Sequence, residues 1–154
     1  MAKQTINFEY FEKLNNKKVF WLGWIAAHNP IYRVKEKSGD FKLVFQITVG
    51  KDQKKLLYDL MKSLESTYKI SYRPPKTRFF KKNNKSYLIG ESYQVSIYSE
   101  EFCRTLFEYG INVRKTKPPQ FFYQEDDISG EYRTQYTNGY LKGGGKMRNL
   151  SVLK

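Results

Sequence analysis

From Lys17 to Ala27 the chain runs almost without a polar residue and then meets Asn29-Pro30. This predicts a short buried helix, because a residue that precedes proline is pushed out of the helical region. The pattern then changes to alternation. In 31–37, Ile31, Arg33, Lys35 and Lys37 point one way, and Tyr32, Val34 and Glu36 the other. After the turn residues Ser38-Gly39-Asp40, the run 41–49 places Phe41, Leu43, Phe45, Ile47 and Val49 on one face. Lys42, Gln46 and Thr48 take the other, with Val44 as an exception. Two alternating runs around such a turn predict a β-hairpin.

Gly50 ends the second run, and Asp52 is placed to cap a helix over 52–67 with Leu56, Leu57, Leu60, Met61 and Leu64 as its apolar stripe. A third strand is expected over 68–73, with Tyr68, Ile70 and Tyr72 inward and Lys69, Ser71 and Arg73 outward. Residues 74–85 are rich in Pro, Lys and Asn and read as a basic loop. A fourth strand follows over 86–99, broken at Gly90, and then a helix over 100–111 that stops at Gly110. The expected fold is α+β: a four-stranded antiparallel sheet with helices on one face. Residues 1–116 would form this unit, and 117–154 a linker, a further helix and a tail.

Composition sharpens the picture. Lys and Arg number 28 against 15 Asp and Glu, a formal charge of +13. Solubility alone needs a net charge of only ~2–8 on a small domain. The excess points to a polyanion, and nucleic acid is the first expectation. The outward strand positions Arg33, Lys35, Lys37, Lys42, Gln46, Thr48, Lys69, Arg73, Ser92, Gln94 and Ser96 combine cations with hydrogen-bonding side chains. Phosphates and base edges need those two kinds of group. The plainer alternative is an ordinary solvated sheet face. The single cysteine, Cys103, excludes an intrachain disulfide and reads as an inert buried thiol. The start has no signal-peptide pattern, and no apolar run approaches the ~20 residues that span a bilayer. The expectation is a cytoplasmic protein with no membrane partner.

Two segments then stand out. Phe20 to Asn29 is a small-residue helix with Gly23 and Ala27 four apart, and Tyr136 to Gly145 repeats the spacing with Gly139 and Gly143. Small residues at that spacing let two helix backbones approach closely. Both segments resemble the motif helices of the LAGLIDADG homing endonuclease family, and the order of elements through about residue 111 resembles its αββαββα unit. The resemblance implies a sheet laid against duplex DNA, an origin in mobile introns, inteins, organelles or phages, and metal-dependent cleavage by one acid from each motif. It sets the first acid at His28 and the second at Gly144. No Asp or Glu lies between Glu12 and Glu36, or after Glu131. The expectation is therefore a DNA-binding relative without catalytic residues or cofactor, Mg²⁺ entering only if cleavage is retained. An active endonuclease or its subunit, and an RNA-binding intron maturase, stay open as alternatives. His28 is expected to touch phosphate or to cap its helix. The Gly143–Lys146 stretch lacks phosphate-loop spacing. The acidic run 124–127 reads as a solvated loop, with metal binding as its less favoured reading. A helix pair could form within the chain, or between two chains through residues 20–29.

Overall fold

The computed structural model describes residues 4–113 and 130–146, together with the backbone of 120–121 and 151–152. Its elements are α1 (Asn16–His28), β1 (Ile31–Lys35), β2 (Phe41–Gly50), α2 (Lys54–Ser63), β3 (Ser71–Arg73), β4 (Lys76–Phe80), β5 (Lys85–Ile89), β6 (Ser92–Ile97), α3 (Glu100–Phe107), β7 (Gln120–Phe121), α4 (Glu131–Lys142) and β8 (Ser151–Val152). The fold is α+β, as the pattern predicts. β1, β2, β6 and β3 form a four-stranded antiparallel sheet in that order. β7 and β8 pair in parallel as a separate two-stranded sheet.

One face of the main sheet and the helices share a single apolar core. Ile31, Phe45, Ile47, Val49, Tyr93, Val95 and Ile97 come from the sheet. Val19, Leu22 and Ile25 come from α1, Leu57 and Leu60 from α2, Phe102 and Leu106 from α3, and Tyr136 and Tyr140 from α4. Cys103 is fully buried there, and burial pushes its thiol pKa up to about 12, so it is unreactive.

Each helix has a local cause. The Asn15 side chain accepts a hydrogen bond from the Lys18 amide at 2.9 Å and starts α1. Asn29 ends it in the left-handed region (φ 50°), a conformation that asparagine tolerates better than most residues. Ser99 caps α3 in the same way as Asn15, accepting from the Phe102 amide at 3.2 Å.

Four expectations need correction. Asp52 caps nothing: a 3-10 turn over Lys51–Gln53 precedes α2, whose start has no side-chain cap. The third strand is shorter than 68–73, because only Ser71–Arg73 pair with β6. The run 86–99 does break at Gly90, as expected, but its two parts are separate strands, β5 and β6, in different sheets. The basic loop 74–85 is largely ordered ribbon: β4 pairs with β5 from Lys76↔Ile89 to Phe80↔Lys85.

α4 packs against α1 along its length, with their N-termini joined by Asn16 Nδ2 donating to Glu131 Oε2 at 2.8 Å. The seam is backbone against backbone. A Cβ on Gly23 would fall on the Tyr136 carbonyl and within 3.0 Å of the Tyr140 nitrogen. A Cβ on Gly139 would fall on the Phe20 carbonyl and within 2.9 Å of the Trp24 nitrogen. At Gly143 it would meet Ala27 Cβ at 2.8 Å. The expected small-residue pairing of Gly23, Ala27, Gly139 and Gly143 therefore forms within one chain. Within the chain, α4 covers the face of α1 through which residues 20–29 would meet a second copy.

Gly139→Val should destabilise the fold by ~2 kcal/mol or more, because rigid backbone cannot yield to the added atoms. Gly90→Ala, with open space around its position, should change stability by less than about 0.5 kcal/mol. Urea unfolding of both variants checks the contrast, and equal stabilities would contradict the seam.

Candidate functional site

Directly paired residues in an antiparallel sheet share a face, so the strand register sorts the expected site residues. Opposite the helices lie Gln46 beside Ser96, then Thr48, Gln94 and Ser71 in a row, then Ser92 beside Arg73. Lys42 shares this side by alternation along β2. Thr48, Ser71, Arg73 and Lys42 are exposed, whereas Gln46, Ser92, Gln94 and Ser96 are half-buried. Gln94 Nε2 donates to Ser96 Oγ at 3.4 Å. Lys69 is exposed just before β3. The face thus has a neutral hydrogen-bonding centre with cations at its margins, and none of its paired positions is acidic.

Val44, the exception in the alternation, is buried on this same face and lies outside the main core. Its partner across the ladder is Tyr32. Continuing the β2–β6 register by one pair brings Tyr98 to its other side. Tyr98 also takes the Lys42 ammonium 5.3 Å from its ring centre.

Arg33 and Lys35 do not join this face. They pair with Leu43 and Phe41, on the same side as the core residues Ile31 and Phe45. The hairpin outruns the helices that cover its base, so the inner face near its tip is solvated and cations can stand there. Arg33 lies over the Phe41 ring at 5.6 Å and lines an open cleft with Leu43, Glu100, Arg104 and Phe107. Lys37 sits in the turn. All three are exposed, but they flank the sheet face and are not part of it.

The β4–β5 ribbon is the element that sequence reasoning missed. Its residues are exposed except for half-buried Ile89. Lys76, Arg78, Lys81, Lys82 and Lys85 lie on it, with no acid from Pro74 to Gly90. Asn83-Asn84, between two runs of aromatic and β-branched residues, was the available turn signal, and Asn84 does adopt φ 54°.

The C-termini of the paired helices α1 and α4 carry the two positions that the resemblance gives to catalytic acids. The seam contacts are reciprocal at an offset of 116 residues: 23 against 136 and 140 mirrors 139 against 20 and 24. The two helices are thus related by a local two-fold, and the same offset carries His28 onto Gly144. His28 packs against Trp24 with ring centres 4.4 Å apart and planes tilted by 60°. Its Nε2 is buried without a hydrogen-bond partner among the described residues. Burial holds its pKa down at about 4, so the imidazole is neutral at pH 7. The expectation that His28 touches phosphate or caps its helix is corrected: its ring is packed inward, and Asn29 makes the cap. Gly144, at φ 92°, offers only backbone. Neither residue suits Mg²⁺, which wants carboxylate oxygens.

Among the described residues no three His, Cys, Asp or Glu side chains gather closely enough to hold a metal, and no helix is long and apolar enough to cross a membrane. The acidic run 124–127 lies outside the described residues. No model of a known protein family matches the chain, and no curated protein matches it.

Because His28 stays neutral down to about pH 4 when folded but titrates near pH 6.5 when unfolded, its effect on stability has a definite sign. The contribution is complete above pH 6.5 and is lost as pH falls toward 4, since the unfolded chain then binds the extra proton. At pH 5 the loss relative to pH 7 should be at most about 2 kcal/mol, less for whatever part of the ring is solvated. Denaturant titrations of wild type and His28→Phe at both pH values test it. A His28→Phe variant with the same pH slope would refute the burial argument.

Proposed function

We propose that this chain binds duplex DNA through the sheet face opposite its helices, as a non-cleaving relative of the LAGLIDADG homing endonucleases. The observation that carries the reading is the distribution of charge on that face. Gln46, Thr48, Gln94 and Ser96 sit at its centre, Lys42, Lys69 and Arg73 stand at its margins, and no paired position is acidic. Amide and hydroxyl groups discriminate base edges in the major groove, whereas cations bind phosphates regardless of sequence. An ordinary solvated face would mix acids with bases.

Arg33, Lys35 and Lys37, at the β1–β2 tip, then serve as flanking phosphate contacts. The formal charge of +13 supplies long-range attraction and most of the affinity. Support for the family comes from the reciprocal α1–α4 seam and from the order of the elements. The loss of cleavage rests on His28 and Gly144, at the two equivalent helix ends. Each lacks the negative oxygen that would hold a divalent cation beside a phosphodiester.

Affinity for duplex DNA should fall ~10³–10⁵-fold between 50 and 200 mM salt if about six to ten phosphates are neutralised. Lys42→Ala should weaken binding evenly across sequences and lower the salt slope by about 1. Gln94→Ala should relax preference at one base pair, at a cost of ~1–3 kcal/mol. Fluorescence anisotropy on a duplex panel, with structured RNA of equal length as competitor, measures all three. Preferential capture by the RNA, salt-independent affinity, or cleavage of DNA in Mg²⁺ or Mn²⁺ that His28→Ala abolishes would each defeat the proposal.

A further inference from the structure

The β4–β5 ribbon continues the β3–β6 pair without a change of register. Arg73 pairs with Ser92, and Lys76 with Ile89, so two residues intervene on each strand. No extra residue has entered on either side, and the ladder lapses only where Pro74 and Pro75 bring no N–H. Side chains therefore keep their alternation from the sheet into the arm. The face that carries Ser71, Arg73, Ser92 and Gln94 runs on through Thr77, Leu88, Phe79 and Ser86. The other face carries Lys76, Arg78, Phe80, Lys85, Tyr87 and half-buried Ile89. There Arg78 lies over the Phe80 ring at 5.1 Å, and Phe80 packs edge-on against Tyr87.

The two sides of the arm thus differ in chemistry. Where the polar sheet face extends outward it turns apolar, with Leu88 77% and Phe79 54% exposed. Thr77 and Ser86 beside them are exposed hydroxyls. Cations on the opposite side and at the turn surround this patch, and no acid lies in the arm. Exposed apolar side chains on a wholly cationic ribbon call for an occupant that is anionic outside and apolar inside.

Resting on the duplex-binding reading, we infer that the arm lies in the major groove at one flank of the bound site and that Phe79 and Leu88 select thymine there by contact with its C5-methyl group. The major groove is ~12 Å wide and admits a two-stranded ribbon. In it, the methyl group of thymine is the apolar feature on an otherwise polar base edge. Thr77 and Ser86 bond to neighbouring acceptors or donors. Lys76, Arg78, Lys81, Lys82 and Lys85 reach the phosphates on both sides of the groove.

The test uses the full chain. Duplexes selected from a random library are remade with deoxyuridine for thymidine, which removes only the methyl groups. Wild type should bind the uridine form ~4-fold more weakly per methyl lost within a short run of base pairs at one end. The Phe79→Ser/Leu88→Ser variant should bind both forms equally while keeping its circular dichroism and its salt slope. Equal binding of both forms by wild type, or discrimination that survives in the variant, overturns the inference and leaves the duplex-binding reading standing. Absence of any duplex binding overturns both. Capture by phosphatidylserine vesicles that depends on Phe79 and Leu88 and displaces DNA would make the arm a membrane contact and likewise overturn the inference.

Discussion

The rest of the structure depends on two helix backbones that touch with nothing between them. Gly23 lies against the Tyr136 carbonyl and Gly139 against the Phe20 carbonyl. Close approach of this kind maximises dispersion contacts, but only glycine permits it. It draws Tyr136 and Tyr140 into the core that α1 shares with the sheet. Trp24, fixed in the seam, is buried completely and donates its indole N–H to Gln53 Oε1 at 2.9 Å. That bond ties the helix pair to the turn between β2 and α2, and so to the sheet whose far face is left open.

The local symmetry stops at the seam. On its other side α1 presents Val19, Leu22 and Ile25, all fully buried. The equivalent α4 residues at the same offset are Gln135, Asn138 and Leu141; Gln135 is half-buried and the other two are exposed. Two helices with matching inner stripes therefore have unlike outer ones. Among the described residues α1 is a core helix, while α4 closes the molecule and meets solvent. The helix-end positions diverge in the same way, into a packed imidazole at 28 and a left-handed glycine at 144.

Much of this was legible from patterning. The apolar run of α1, the alternation of β2 and β6 and the glycine spacing of the seam all report directly on burial. The failures have a common physical origin. Alternation in 31–37 correctly separated two faces, but it could not show that the core ends at Ile31. Arg33 and Lys35 consequently occupy the helix side where it is solvated, Arg33 at an open cleft beside α3. Charge alone could not tell a loop from a ribbon in 74–85, where pairing persists with little burial to announce it. Asp52 had the chemistry of a cap, but the chain enters α2 through a 3-10 turn.

The paired prolines beside β3 have a consequence for self-association. β3 is the outer strand of the main sheet, and such edges invite pairing with another chain, the more so when apolar residues stand next to them. Adjacent residues of an extended strand aim their N–H groups to opposite sides, so Pro74 and Pro75 delete one donor from that edge and one from the inner side, and the lysines beyond them repel an identical neighbour. A ribbon that exposes phenylalanine and leucine can in this way stay free of stacking into fibrils while its apolar patch remains open.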